Sequence, residues 1–294
     1  KMYSIKDLER FSGIKSHTIR IWEKRYNLLK PHRTDSNIRY YNDDELRRLL
    51  NLCTLISYGE KISKVSQLSD VEIYSKIDVL MLPDSKNVQL DVFINSIIES
   101  GITYNYQLLD STFEAAILKL GFTKCYTDVI LPSLVKMGLL WGKSKMIPSQ
   151  GHFISNFIKL KLFSAIDGIK LPKQNSKKFL LFLPENEEHE IGLLFAYYLI
   201  RKAGHKVVYL GQNVPTDNLE SSINQIKPDV LLLFIVRTWH KDELNPLIEL
   251  IVGNSQNGKI ILCGKASATE LVKENKLLLI ANSIQDLEKI TQFV

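Results

Sequence analysis

Apolar positions follow two rhythms along this chain. Up to about residue 170 they return every three or four positions, and from about residue 176 short apolar runs alternate with helical ones. The first rhythm predicts helices, the second strands interleaved with helices. Ser4, with Asp7 three residues on, reads as a helix start, and Ile5, Leu8 and Phe11 follow at helical spacing until Gly13. Ser16 is expected to cap a second helix on which Ile19, Trp22 and Tyr26 face a core. His17, Arg20, Ile21 and Lys24 fall on its opposite side, flanked by Thr18 and Arg25. Two short helices joined by a Gly-containing turn, the second with a basic outer face, make a helix-turn-helix pattern. Between Pro31 and Tyr41, turn residues separate two short extended pieces, which predicts a hairpin wing carrying Arg33, Arg39, Tyr40 and Tyr41. A third helix is expected over 44–58, with Leu46, Leu49, Leu50, Cys53 and Ile56 inward, and a short fourth over 62–68.

Ile73 to Met81 is apolar-periodic and Pro83 to Lys86 is turn-like, so a hinge is expected at 83–87. Residues 87–100, 104–120, 122–140 and 148–169 then repeat the helical spacing, with Gly101, Gly121 and Gly142 in the short connections. That predicts an antiparallel four-helix bundle, with a kink or an early start where Pro132 falls inside its third helix. In the last third, strands are expected at 178–183, 206–210, 229–236, 259–263 and 277–280. Helices are expected at 190–203, 216–225, 241–252, 267–275 and 284–293. Such alternation predicts a doubly wound parallel α/β domain, Rossmann-like or flavodoxin-like. Gly-rich phosphate cradles are missing from it, which argues against a nucleotide role. The expected organisation is therefore a multidomain α and α/β chain: a winged helix-turn-helix head over 1–75, a helical bundle over 83–172 and an α/β domain over 176–294.

Composition narrows this little: 45% hydrophobic and 24% charged residues are ordinary for a globular protein. No apolar run reaches the length of a membrane span and no signal peptide is visible, so a cytoplasmic protein without a membrane partner is expected. The chain begins at Lys1, and a natural start upstream is expected. Cys53, Cys125 and Cys263 lie far apart with no metal-binding spacing and read as reduced, buried or half-buried thiols. Charge is more telling. Residues 1–70 hold fourteen Lys or Arg against nine Asp or Glu, so they carry nearly all of the net +6. A surplus concentrated on the helix-turn-helix segment suits a polyanion partner.

Candidate chemistry concentrates in Glu187-Glu188-His189-Glu190-Ile191-Gly192, between an expected strand and an expected helix. Open α/β sheets place ligands beyond such strand ends. A neutral imidazole ligates transition metals, and a neighbouring carboxylate fixes its tautomer. The plain reading is a loop histidine with acidic neighbours. Trp141 and His152, on the third and fourth bundle helices, read plainly as core packing and as a cap or surface position.

Residues 2–70 resemble the winged-helix head of the MerR family of transcriptional regulators, above all in Arg20-Ile21-Trp22-Glu23-Lys24-Arg25-Tyr26 and Arg39-Tyr40-Tyr41. The resemblance implies a dimer on a palindrome-like double-stranded DNA operator. Arg20, Lys24 and Arg25 map to its recognition helix, and Arg39 and Tyr40 to its wing; Arg33 is expected beside them. Lys and Arg there would mainly neutralise phosphates, and His17 and Thr18, at the helix start, would read bases. Trp22 and Tyr26 read as core, and Arg25 has an ion pair with Glu23 or Asp7 as its plain alternative.

Glu187-x-His189-x-x-Gly192 resembles the lower-ligand motif of cobalamin-binding domains, in which the histidine replaces the vitamin's own base on cobalt. Tyr209-Leu210-Gly211, followed by Pro215, and the Gly264 that follows Cys263 are similar to further segments of that family. Ile130 to Trp141, followed by His152, is similar to the helical cap of light-sensing regulators of the CarH/LitR type, where these positions cover adenosylcobalamin. The resemblance implies cofactor contacts from Trp141, His152, Glu187, His189, Gly192, Gly211 and Gly264, with His189 on the metal. The chain departs from the family pattern in four places. Gly151 stands for a Glu, Gly142 for a light-state His, Phe234 to Arg237 lack the Ser that holds the displaced base, and the usual glycine pair keeps only Gly264.

The expected function is a non-enzymatic, DNA-binding transcriptional repressor, dimeric or tetrameric, linked to light. It would be controlled by cobalamin, as adenosylcobalamin or another form, held between bundle and α/β domain. The alternative is a MerR-type regulator whose scaffold has lost the cofactor and serves oligomerisation or another partner. A cobalamin-carrying enzyme ranks last, since no substrate barrel or second catalytic cluster accompanies the DNA head.

Overall fold

The computed structural model describes residues 2–12, 14–33, 37–57, 59–80, 88–142, 146–170, 172, 176–237, 239–255, 258–264 and 275–293. The hinge expected at 83–87 and all but the last residue of the helix expected at 267–275 lie outside them. The chain forms two units, Lys1–Asn156 and Phe157–Val294.

The first unit opens with α1 (Ile5–Ser12) and α2 (Ser16–Tyr26). Ser4 and Asp7 form the expected start: the Ser4 backbone N–H donates to Asp7 Oδ2 at 2.7 Å, and the Asp7 N–H to Ser4 Oγ at 3.2 Å. Ser16 behaves otherwise. It is the first residue of α2, which has no side-chain cap, and its N–H donates to Glu9 Oε2 at 3.0 Å. A local cap was expected; the hydroxyl also turns to Glu9, so Ser16 ties the two helices together. The wing is β1 (His32–Arg33) paired antiparallel with β2 (Arg39–Tyr40). Helix α3 (Asp43–Ser57) buries Leu46, Leu49, Leu52 and Leu55 against Leu8, Ile19 and Tyr41. Leu50, Cys53 and Ile56, expected inward, are only partly buried, because the core centres on the neighbouring stripe. Short α4 (Ile62–Val65) and α5 (Asp70–Leu80) add Val65 and Ile73 to that core.

Four helical stretches follow: α6 (Val88–Thr103), α7 (Tyr106–Leu120), α8 (Phe122–Cys125) continued by α9 (Leu131–Gly142), and α10 (Pro148–Asp167), whose first turns belong to this unit. Asn105 caps α7, accepting from the Leu108 N–H at 3.0 Å. At Pro132 the third stretch starts afresh, with α9 beginning one residue earlier at Leu131. Between α8 and α9 lies a π turn, Tyr126–Ile130, closed by the Leu131 N–H on Tyr126 O. A wider turn just before a proline relieves the clash of its ring with the preceding turn. Gly101, expected in a connection, lies inside α6, where an added Cβ would stand 2.2 Å from Ile154 Cδ1.

The second unit is a parallel sheet of β3 (Lys178–Pro184), β4 (Lys206–Val214), β5 (Val230–Ile235), β6 (Lys259–Gly264) and β7 (Leu278–Ala281), in the order β4-β3-β5-β6-β7. This is a doubly wound parallel sheet, as expected from the alternation, in the flavodoxin-like order. Leu180, Phe182, Leu231, Leu233, Ile260 and Leu262 point to one face, which α12 (Thr216–Ile226) and α13 (Lys241–Asn254) cover. The other face meets α11 (Glu190–Lys202), which also contacts α14 (Ile284–Phe293). Both faces are covered, so the strands read as continuous apolar runs rather than alternating ones. The chain leaves β3 towards β4 and returns to β5 on β3's other side, which makes the ends of β3 and β5 a topological switch point.

Candidate cofactor and nucleic-acid sites

The loop after β3 is built to fix one carboxylate. Asn186 takes a positive φ of 64°, and its N–H donates to Asn213 Oδ1 at 2.8 Å. The Asn213 N–H in turn reaches Glu187 O at 3.3 Å. These bonds anchor the loop to the end of β4 and turn Glu187 inward, where it is fully buried. Its Oε2 accepts from the backbone N–H groups of Val236 and Arg237, in the loop after β5, both at 2.9 Å. Its Oε1 faces His189 Nδ1 at 2.5 Å and accepts from the His189 N–H at 3.4 Å. Burial alone would raise this carboxyl. The bonds from His189, Arg237 and Val236, with the imidazole's charge, outweigh burial and hold it at about 2. Glu187 therefore stitches the two loops of the switch point together as an anion.

His189 sits at the N-terminal boundary of α11, with a side chain 61% exposed. With Nδ1 held by the carboxylate, Nε2 is the ring's remaining donor atom for a ligand. A carboxylate behind an imidazole fixes its tautomer and raises its basicity towards a metal. Among the described residues no three His, Cys, Asp or Glu side chains converge on a metal site. A lone imidazole donor suits a metal whose equatorial positions come from a macrocycle. The Glu187–His189 pair thus fits a cobalt corrinoid's lower face.

Next to it, Glu190 accepts from Tyr209 OH at 2.9 Å and pairs with Lys159 Nζ at 3.6 Å. Burial, then Glu190's charge, pushes the Tyr209 hydroxyl far up. Gly211, with φ 81°, ends in the buried part of β4 opposite Phe182. Gly192 lies in the first turn of α11, where a Cβ would meet the Phe234 ring at 3.0 Å. A Cβ on Gly264, at the end of β6, would stand 2.4 Å from Ile235 O. Both glycines therefore serve close packing inside the unit itself. Arg237 stacks over Trp239, 3.7 Å from its centroid, and reaches Glu243 Oε2 at 3.4 Å.

In the head, His17, Arg20, Lys24 and Arg25 are exposed on α2 beside exposed Ile21, and Thr18 is half-buried. Ile19 is buried and Trp22 packs against the head's core, as expected. Arg25 lies 5.5 Å from the Tyr26 ring centroid. On the wing, exposed Arg33 donates to Asn37 Oδ1 at 2.5 Å, exposed Arg39 follows, and Tyr40 stacks on His32 at 5.3 Å. Tyr41 is buried, and its hydroxyl donates to Glu23 Oε1 at 2.5 Å, fastening wing to α2. Trp141 packs with Leu139 against the head's core, and His152 is exposed on α10. Sequence reasoning did not reach Asn186, Asn213 or the backbone of Val236 and Arg237. Asn213 lies near the end of β4, in the Tyr209–Pro215 segment already singled out for Gly211, and was the accessible signal.

Comparison with known proteins bears on both units. The family model for MerR HTH family regulatory proteins matches residues 3–71, and that for the B12 binding domain matches residues 178–279. The HTH-type transcriptional repressor CarH of Myxococcus xanthus is 25% identical over 271 residues, 91% of this chain and 90% of that protein. CarA, a second HTH-type transcriptional repressor of that organism, is 25% identical over 247 residues, 83% of this chain and 80% of its own. A monomethylamine corrinoid protein of Methanosarcina barkeri shares the fold at a TM-score of 0.53 and 13% identity, covering 69% of this chain and 98% of that one. Among the described residues no helix is long and apolar enough to cross a membrane.

Proposed function

We propose that this MerR-type DNA-binding regulator, whose C-terminal unit carries a B12-binding domain, holds a cobalt corrinoid through Nε2 of His189 and represses transcription under its control. The observation that carries this reading is the Glu187–His189 pair: one exposed imidazole, its other nitrogen 2.5 Å from a fully buried carboxylate. When bound, the corrinoid supplies an exchangeable cobalt coordination site. Glu187 orients the imidazole and joins the loops after β3 and β5, so it ties His189 to both. Trp141 and His152 enter as the residues that the resemblance assigns to the ligand's other face. Gly151 takes away the Glu that would hold an adenosyl group and Gly142 the His that would be the light-state ligand, so ligand occupancy is the signal and any response to light depends on the upper ligand.

On DNA, the recognition helix lies in the major groove. Arg20, Lys24, Arg25, Arg33 and Arg39 engage phosphates, Tyr40 supports the wing, and His17 and Thr18 meet base edges. A dimer on a palindrome-like operator follows from that docking mode. The second reading, a scaffold that has lost its cofactor, draws on the Phe234 ring that fills the space at Gly192. The test mixes cofactor-free protein with aquocobalamin and adenosylcobalamin and follows visible spectra and co-elution on a sizing column. The proposal expects a spectral shift and co-elution, both lost in His189→Ala; a colourless wild-type protein would favour the second reading.

A further inference from the structure

Cobalamin carries a bulky aromatic base on a nucleotide tail, and once His189 takes the cobalt this base needs another place. In the switch-point crevice three observations meet. The carboxylate of Glu187 spans the loops after β3 and β5, bonded to Val236 and Arg237 at 2.9 Å each, so a single carboxylate ties the two loops together there. Behind it, the Phe234 ring lies against the bare backbone of α11, with its Cε1 and Cδ1 3.0 and 3.2 Å from a Cβ position on Gly192. An aromatic base slipped between ring and helix would need about 3.5 Å of clearance on each of its faces. On the far side of β5, Ile235 pairs with Gly264, whose Cβ position is 2.4 Å from Ile235 O, so β5 and β6 leave no gap there. Strand alternation puts Leu231, Leu233 and Ile235 on the face of α12 and α13, and Phe234 on the face of α11.

We infer that this site takes the corrin ring but leaves the nucleotide tail outside the α/β unit, with Phe234 filling the space a displaced base would occupy. The inference rests on the reading of His189 as the cobalt ligand. Its ligand class is corrinoids irrespective of lower base, including cobinamide, which has none. Phe234 is the specificity-determining residue, and the tail contributes little to affinity.

The test titrates the full chain with aquocobinamide and, separately, with aquocobalamin, reading dissociation constants from visible spectra. The inference expects the two affinities to agree within tenfold in the wild type. It also expects Phe234→Ser to strengthen aquocobalamin binding at least fivefold while leaving aquocobinamide unchanged. A wild-type preference for cobalamin above tenfold, or an affinity ratio that Phe234→Ser leaves unmoved, would overturn it while His189 stands as ligand. Binding of neither corrinoid would overturn the reading of His189 and this inference with it. The wild-type ratio needs no variant, so a poorly folding Phe234→Ser protein does not weaken the test.

Discussion

On α2, His17, Arg20, Lys24 and Arg25 face solvent side by side, whereas at the switch point one imidazole is pinned by a buried anion that also holds two backbone N–H groups of another loop. The first arrangement spreads a function over several flexible side chains, and the second concentrates it in one oriented atom. Contacts to phosphates add up and are screened by salt. A metal ligand is present or lost. The two regions should therefore differ in how steeply they respond to a single substitution.

His189→Ala should give the largest effect, weakening corrinoid binding by roughly a hundredfold or more, since on the proposed reading it removes the cobalt ligand itself, whereas a supporting residue tunes affinity over about 10–100-fold. Spectral titration checks this, and a fold-change below ten would erase the contrast. Glu187→Gln comes next. It keeps the side chain's shape but offers His189 an amide in place of an anion, so binding should weaken about 10–100-fold.

The same variant changes the pH dependence of stability. Glu187 is held at about 2, below the unfolded carboxyl's ordinary value of roughly 4.3. A depressed carboxyl stabilises the fold fully above its unfolded pKa and loses that contribution as pH falls through the folded one. The share is on the order of 3 kcal/mol. Wild-type protein should accordingly lose stability between about pH 5 and pH 2 more steeply than Glu187→Gln, which denaturant melts across that range would detect.

Arg20→Ala should act in the other manner. DNA binding should weaken modestly and uniformly across sequences, and the slope of log affinity against log salt should shrink by about one. An unchanged slope would remove Arg20 from the phosphate contacts. Ser4→Ala should have the smallest effect, costing about 1 kcal/mol in thermal or denaturant melts of the head through loss of a helix start, with corrinoid binding untouched.

The sequence made some of these features legible and hid others for physical reasons. Apolar spacing reveals each element's inner face because burial is periodic, and it anticipated the doubly wound parallel sheet and the outer face of α2, but not the strand order. Glu187 and His189 were legible because they are two positions apart. The bonds of Glu187 to Val236 and Arg237 were not, since about 50 residues separate them and backbone donors carry no residue signature. Ser16 misled because a serine before a helix usually caps it, whereas here Glu9 supplies a stronger acceptor from seven residues away. The packing of partly buried Trp141 against the head's core also joins distant segments, and its residue type alone fits both core packing and ligand contact.

The most direct measurement is electron paramagnetic resonance of cob(II)alamin bound to protein labelled with nitrogen-15 in its histidines. Coordination by His189 predicts that the cobalt lines, each split in three by an ordinary nitrogen, become pairs on labelling, and that labelled His189→Ala shows only the three-line splitting of the vitamin's own base. A three-line splitting that survives the label in the wild type would mean the vitamin's own base still holds the cobalt, and would contradict the account.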